Sequence, residues 1–169
     1  MKYSVSSYSY MKMIRAGEIT PFEVIAKTKE LGFDAIEFVD FVDFLPLPEE
    51  ERPANAEKIR AEADRLGLEI SSLTIGADFI NGCDGDFEKE VERVKKFVDI
   101  GRILGVKRMR HDATVGYPVD SDKYCAFDTL IPRLAEGCRR VTEYAEQFGI
   151  RTMIENHGFY AQDSERVEK

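Results

Sequence analysis

The chain has 169 residues, 43% of them hydrophobic, so it is long enough to bury one sizeable core and too short for two. Its 32 acidic and 24 basic residues give a formal net charge of −8, which disfavours a surface that neutralises nucleic-acid phosphates. The three cysteines have no Cys-x-x-Cys spacing, and no apolar run reaches the length of a membrane span. We therefore expect one cytoplasmic domain that binds neither nucleic acid nor membranes.

A short apolar-Gly-apolar pattern recurs four times and divides the chain into similar units. It occurs at Leu31-Gly32-Phe33, Leu66-Gly67-Leu68, Leu104-Gly105-Val106 and Phe148-Gly149-Ile150. A glycine directly after a helix adopts the left-handed conformation that ends the helix, and an apolar residue then returns the chain to a core. The pattern predicts helix-to-strand transitions spaced as in βα units.

The segments before these glycines have apolar residues at helical spacing. In the last one, Ile131, Leu134, Cys138, Val141, Ala145 and Phe148 fall on one stripe, which predicts a helix over about 132–148. The run Thr20-Pro21-Phe22-Glu23 predicts an earlier helix start, with Thr20 as cap and Glu23 reaching back to it. Further stripes predict helices near 56–66 and 87–98, and we interpret the charged run 88–90 as a solvated helix start.

Five short segments alternate with these helices. They are predicted as strands at 3–7, 35–39, 69–73, 106–110 and 151–155. Strands joined through helices run parallel, so the fold class is α/β with a parallel sheet. The tail carries only about one helical turn, beginning near Asp163 or Ser164. We therefore interpret residues 1–169 as a partial TIM barrel, strands 1 to 5 in sequential order, over a complete flavodoxin-like sandwich with order 2-1-3-4-5.

Polar residues gather where the predicted strands end, which is where parallel α/β folds place their ligand sites. These ends contain Ser6-Ser7-Tyr8, Glu37, Ser71-Ser72, Arg110-His111-Asp112 and Glu155-Asn156-His157. Because the run Arg151-Thr152-Met153-Ile154 carries Glu155 to the mouth of the strand, it is our candidate metal ligand or acid/base residue, with an exposed loop carboxylate as the alternative. His111 and His157 are candidates for substrate or ligand contacts, or simply pack in loops. A carboxylate near imidazoles suits Mn, Co, Zn or Mg.

Three further strand-end residues have two interpretations each. Glu37 can bind a substrate hydroxyl or form a salt bridge with Arg110. Arg110 can bind a substrate phosphate or fill the mouth of the barrel as an ion-pair partner. Tyr8 can line a substrate pocket or serve only in packing. The sequence has no dinucleotide-binding, P-loop, zincin or serine-hydrolase motif, so those readings lack their usual signals.

The chain resembles the xylose isomerase-like TIM barrels, a superfamily of sugar-phosphate isomerases and epimerases with endonuclease IV as a distant member. The resemblance rests on Leu31-Gly32-Phe33-Asp34-Ala35-Ile36-Glu37, on Leu104-Gly105-Val106-Lys107 leading to Arg110-His111, and on Ile154-Glu155-Asn156-His157-Gly158. It implies that Glu155 is the first metal ligand and an acid/base residue, with Glu37 and His111 near a sugar or sugar-phosphate substrate. Two histidines and an acidic charge disfavour the endonuclease reading.

In that family the other metal ligands come from strands six to eight, which these residues do not include. The resemblance therefore implies a metal-dependent isomerase or epimerase whose residues 1–169 alone are inactive and bind metal weakly or not at all. An alternative from a different class is a folding or interaction unit that forms a homo-oligomer through its open sheet edge.

Overall fold

The computed structural model describes Met1–Lys169 and contains five parallel strands with helices between them. The strands are β1 (Ser4–Ser6), β2 (Ala35–Val39), β3 (Glu69–Ile75), β4 (Arg108–His111) and β5 (Arg151–Ile154). The helices are α1 (Met11–Arg15), α2 (Pro21–Glu30), α3 (Asp40–Asp43), α4 (Arg52–Leu66), α5 (Phe87–Leu104), α6 (Phe127–Glu146) and α7 (Ser164–Glu168). None of these helices combines the length and apolar composition that a membrane span requires.

The strands lie in the order β1-β2-β3-β4-β5, which confirms the predicted sequential order of a partial TIM barrel. A flavodoxin-like sheet would have placed β1 between β2 and β3. Glu37 of β2 is paired in register with Ser6 on one side and with Ser72 on the other. The pairing of β2 with β3 shifts between Ile36 and Glu37, a local irregularity of the kind produced by a β-bulge.

The chain divides into two compact units, Met1–Thr74 with Asp99–Met109, and Ile75–Val98 with Arg110–Lys169. In the first unit, α2 begins with the predicted capping box. The Glu23 amide donates to Thr20 Oγ1 over 3.2 Å, and the Glu23 carboxylate accepts from the Thr20 amide over 2.8 Å. Val24 and Ile25 of this helix are buried, as are Ile59 of α4 and Phe38 of β2.

In the second unit, α6 starts five residues before the predicted position. Pro132, which we expected at the helix start, lies inside the helix, where it removes one backbone hydrogen bond. The extra turn places Phe127 with its ring centroid 6.1 Å from that of Tyr160, which is fully buried. The aromatic contact stabilises this extra turn, an effect that local helix-start rules do not include.

The packing of α6 in this unit depends on a helical glycine. The ring of Phe79 is fully buried, and a Cβ atom at Gly137 would lie 2.5 Å from its Cγ atom. Arg133, one turn earlier, donates from Nε to the Phe79 carbonyl over 2.7 Å. Gly137 thus allows the helix backbone to approach the ring of Phe79 directly.

A buried carboxyl group in the first unit joins three segments. Asp43 Oδ2 accepts from Ser7 Oγ over 2.6 Å and from the Val39 amide over 2.9 Å, while Oδ1 has no hydrogen-bond partner. Burial raises the pKa of Asp43 to about 6, although these two hydrogen bonds favour the ionised form. The folded protein therefore binds a proton at this carboxyl group at a pH where the unfolded chain has released it.

We predict that Asp43 makes the folded state less stable as the pH rises. Its contribution is fully present below pH 3.8, the ordinary pKa, and is lost as the pH rises through about 6. The shift corresponds to roughly 2–3 kcal/mol. In urea unfolding between pH 4 and 7.5, Asp43→Asn should remove this part of the slope, whereas the exposed control Asp120→Asn should keep it. Parallel curves for wild type and Asp43→Asn would contradict the assignment.

We also predict that Gly137→Ala destabilises the protein by about 1–3 kcal/mol, because the new methyl group overlaps the ring of Phe79. The same substitution in an unobstructed helix is stabilising by about 1 kcal/mol. Gly76→Ala is the control, since nothing lies within 4 Å of its Cβ position and its φ is not positive. Equal midpoints for the two variants in thermal unfolding would show that the Phe79 contact is not tight.

Candidate metal and substrate site

The ends of β4 and β5 are held in register by a backbone hydrogen bond. The Glu155 amide, directly after β5, donates to the His111 carbonyl over 3.2 Å. At this level the Arg110 guanidinium forms an ion pair with the Glu155 carboxylate, through Nη1 and Oε2. About a third of each side chain is exposed, so the pair stands at the surface and not in the core. An ion pair was one of the two roles predicted for Arg110. In the structure Arg110 forms one, and its partner is Glu155.

Asp112 and His157 lie beside Glu155, and all three side chains are of types that can bind a metal ion; we call these three residues the metal-ligating group. One ligand atom from each of the three residues lies within 4.8 Å of the others. His157 Nδ1 is 3.4 Å from Asp112 Oδ1, and the Asp112 side chain is 14% exposed against 61% for His157. The sequence prediction had named Glu155 and His157 but had given Asp112 no role.

Strand geometry offers a signal for Asp112 that the sequence reading did not use. Side chains alternate between the two faces of a strand, so residues two apart share a face. Arg110 and Asp112 have this spacing at the end of β4, which Asp112 directly follows. His111 falls between the first two and has the opposite parity.

His111 has a buried environment of its own. Its side chain is 1% exposed, and its ring meets the Phe79 ring edge-on with centroids 6.2 Å apart. Nδ1 donates to the Asp112 carbonyl over 2.8 Å, and Nε2 has no partner. Burial lowers the pKa of His111, so the neutral imidazole is favoured. His111 is not in the metal-ligating group, and its role toward a substrate stays a prediction.

Two predicted site residues, Glu37 and Tyr8, belong to the first unit. Glu37 is partly buried, and its carboxylate accepts from Ser72 Oγ over 2.9 Å. Tyr8 is 53% exposed and meets Phe41 edge-on with ring centroids 5.7 Å apart. Their assignment to a substrate site stays a prediction.

Asp112 also lines a second feature, a cavity of about 220 Å³ in the second unit. The other lining residues are Gly76, Ala77, Asp78, Gly82, Cys83, Glu90, Arg93 and Val115. Asp78 stabilises the wall of this cavity, because its side chain accepts hydrogen bonds from Thr114 Oγ1 over 2.7 Å and from the Asn81 amide over 3.0 Å. The cavity therefore has a firmly hydrogen-bonded wall next to one member of the metal-ligating group.

Glu90 belongs to the same wall, and its burial differs from what the sequence predicted for the charged run 88–90. The charged run 88–90 was expected to be solvated, yet Glu90 is 1% exposed. Its carboxylate accepts two hydrogen bonds from Arg93, over 2.8 and 2.7 Å, and one from the Asp78 amide over 2.9 Å. Although burial opposes ionisation, these bonds hold the pKa of Glu90 below its ordinary value. The run was misread because charge composition alone does not indicate which side of the helix packs.

The sequence matches the family of xylose isomerase-like TIM barrels over residues 25–168. No curated protein matches the sequence at a significant level. Among solved structures, a D-psicose 3-epimerase is similar with a TM-score of 0.70 and 21% identity, covering 95% of this chain and 56% of that one. An L-ribulose 3-epimerase has a TM-score of 0.62 and 22% identity, covering 91% and 49%.

A third solved structure, the probable 3-DHS dehydratase AsbF from Bacillus anthracis, has a TM-score of 0.66 and 16% identity. It is matched over 94% of this chain and 53% of its own. The chain thus spans about half the length of these solved relatives. At such identities the structural likeness establishes the fold, and the sequence match over 25–168 establishes the family. The chain belongs to the xylose isomerase-like TIM barrel family.

Proposed function

We propose that this chain carries part of the active site of a divalent-metal-dependent sugar or sugar-phosphate isomerase or epimerase. The observation that carries the proposal is the convergence of Asp112, Glu155 and His157 just beyond the ends of β4 and β5. In TIM barrels, residues at the C-terminal ends of strands form the active site. The family supports the reaction class, since two of the solved relatives are named as sugar 3-epimerases.

The three side chains suit a divalent cation in number and in chemistry. Two carboxylates and one imidazole are a mixed oxygen and nitrogen set, which favours Mn, Co or Zn and also admits Mg. Ligands bound at about 2.0–2.2 Å lie roughly 3–4 Å from one another, so atoms already within 4.8 Å need only small movements to enclose an ion. A bound ion would polarise the carbonyl and hydroxyl oxygens of a sugar.

Within this proposal, Glu155 transfers the proton next to the sugar carbonyl. A carboxylate at the end of a strand is held by the sheet and faces the position where a ligand enters. His157 lies against Asp112, and such a carboxylate contact fixes the orientation of an imidazole ring. Asp112 also lines the cavity whose wall contains Asp78 and Glu90. Tyr8, Glu37, Arg110 and His111 are proposed to contact the substrate.

Epimerisation also requires a proton donor on the opposite face of the same carbon. The chain spans about half the length of its solved relatives, and three side chains are the minimum for a catalytic metal centre. We therefore also propose that residues 1–169 alone bind metal weakly and do not turn over sugars.

We predict that Mn²⁺ binds the purified chain with an affinity weaker than micromolar in titration calorimetry. Asp112→Asn and Glu155→Gln should each weaken this binding by about tenfold or more, because each removes a charged ligand. Glu88→Gln, which removes an exposed carboxylate outside the group, should leave it unchanged. Ketoses and their phosphates should show no turnover. Micromolar binding that is lost in Glu155→Ala, together with turnover, would overturn the account of a partial site.

A second candidate function is a unit that self-associates through its sheet edge. β1 and β5 are the terminal strands of the order, and β5 carries exposed apolar side chains, with Met153 at 37% and Ile154 at 40%. An uncovered edge strand with apolar side chains is a site for pairing with another chain. A second copy is therefore the partner that this edge favours.

We predict that the chain self-associates at tens of micromolar in gel filtration with light scattering. Met153→Lys should shift the population to monomer, because the charge cannot be buried against a second strand. Val119→Lys adds the same charge at a side chain that is 78% exposed and outside the sheet, and it should have no effect. A well-folded wild-type monomer at all concentrations would eliminate this candidate.

A further inference from the structure

The Glu155 carboxylate is the partner of one cation and a candidate ligand for a second. Its Oε2 atom pairs with Arg110 Nη1, and the same side chain supplies a ligand atom to the group with Asp112 and His157. The ion pair and the metal-ligating group therefore share one carboxylate. This inference rests on the function proposed above.

Arg110 and a divalent metal ion would compete electrostatically for the Glu155 carboxylate. A guanidinium close to a divalent cation repels it, and the ion pair with Arg110 occupies the Glu155 oxygen Oε2, which a metal ion could otherwise use. In the metal-free chain, Arg110 also offsets part of the charge of the two neighbouring carboxylates, which would otherwise repel each other. Because about a third of each partner is exposed, the pair is weak enough to be exchanged.

We propose that Arg110 is an internal counter-cation that occupies Glu155 until a divalent metal displaces it. Metal binding and the Arg110–Glu155 ion pair are then alternatives at one carboxylate. The displaced guanidinium remains attached to the end of β4, two residues from Asp112, where it becomes available for the substrate-binding role predicted for it. Arg110 is thus a positioning residue in the metal-free chain and weakens metal binding.

The test is the affinity of Mn²⁺ for Arg110→Met, measured by titration calorimetry. Losing the competing ion pair should tighten binding by about three- to tenfold relative to wild type. Arg110→Lys keeps a charge but not the planar fork, so its affinity should fall between the two. The matched control is Arg140→Met, which removes an arginine of similar exposure from its ion pair with Glu88 and changes the net charge equally. This control should bind Mn²⁺ as wild type does.

A second readout follows the guanidinium directly. The Nε–H resonance of Arg110, identified by its loss in Arg110→Lys, should shift on titration with diamagnetic Zn²⁺, and that of Arg140 should not. Unchanged or weaker Mn²⁺ binding by folded Arg110→Met would mean that Arg110 and the metal share Glu155 without competing, and the inference would be wrong. If neither wild type nor Arg110→Met binds any divalent ion, the proposed metal site fails and the inference fails with it.

Discussion

The hydrogen bond from the Glu155 amide to the His111 carbonyl, 3.2 Å long, fixes which side chains meet at the ends of β4 and β5. Given this register, the segments directly after the two strands lie side by side. Arg110 and Asp112 come to the same side as Glu155 and His157, whereas His111 turns into a buried environment beside Phe79.

Around this register the chain places charges in two different environments. Glu90 is buried, bonded to Arg93 and enclosed by the loop after β3, so it is a fixed part of the wall. The Arg110–Glu155 pair is partly exposed and can rearrange. This difference in burial separates groups that are fixed in the wall from groups that can rearrange.

Much of the fold could be predicted from the sequence because its signals are local or repeated. The apolar-Gly-apolar repeats and the Thr20 capping box each need only a few neighbouring residues, and the sequential strand order follows from the spacing of the units. The start of α6 was missed because the contact of Phe127 with Tyr160 joins residues far apart in the chain. Glu90 was misread for a related reason, since its partner Asp78 lies in the preceding loop.

For the candidate site, the sequence prediction named Glu155, Arg110 and His157, and it placed Asp112 at a strand end without giving it a role. The two histidines attracted attention as rare residues, although His111 is buried beside Phe79 and His157 is exposed. The central claim is that Asp112, Glu155 and His157 together hold a divalent ion. Anomalous diffraction from a crystal of the chain soaked in Mn²⁺ tests it most directly. We predict one anomalous peak within bonding distance of all three side chains; a peak elsewhere, or none at a concentration that saturates binding in solution, would contradict the claim.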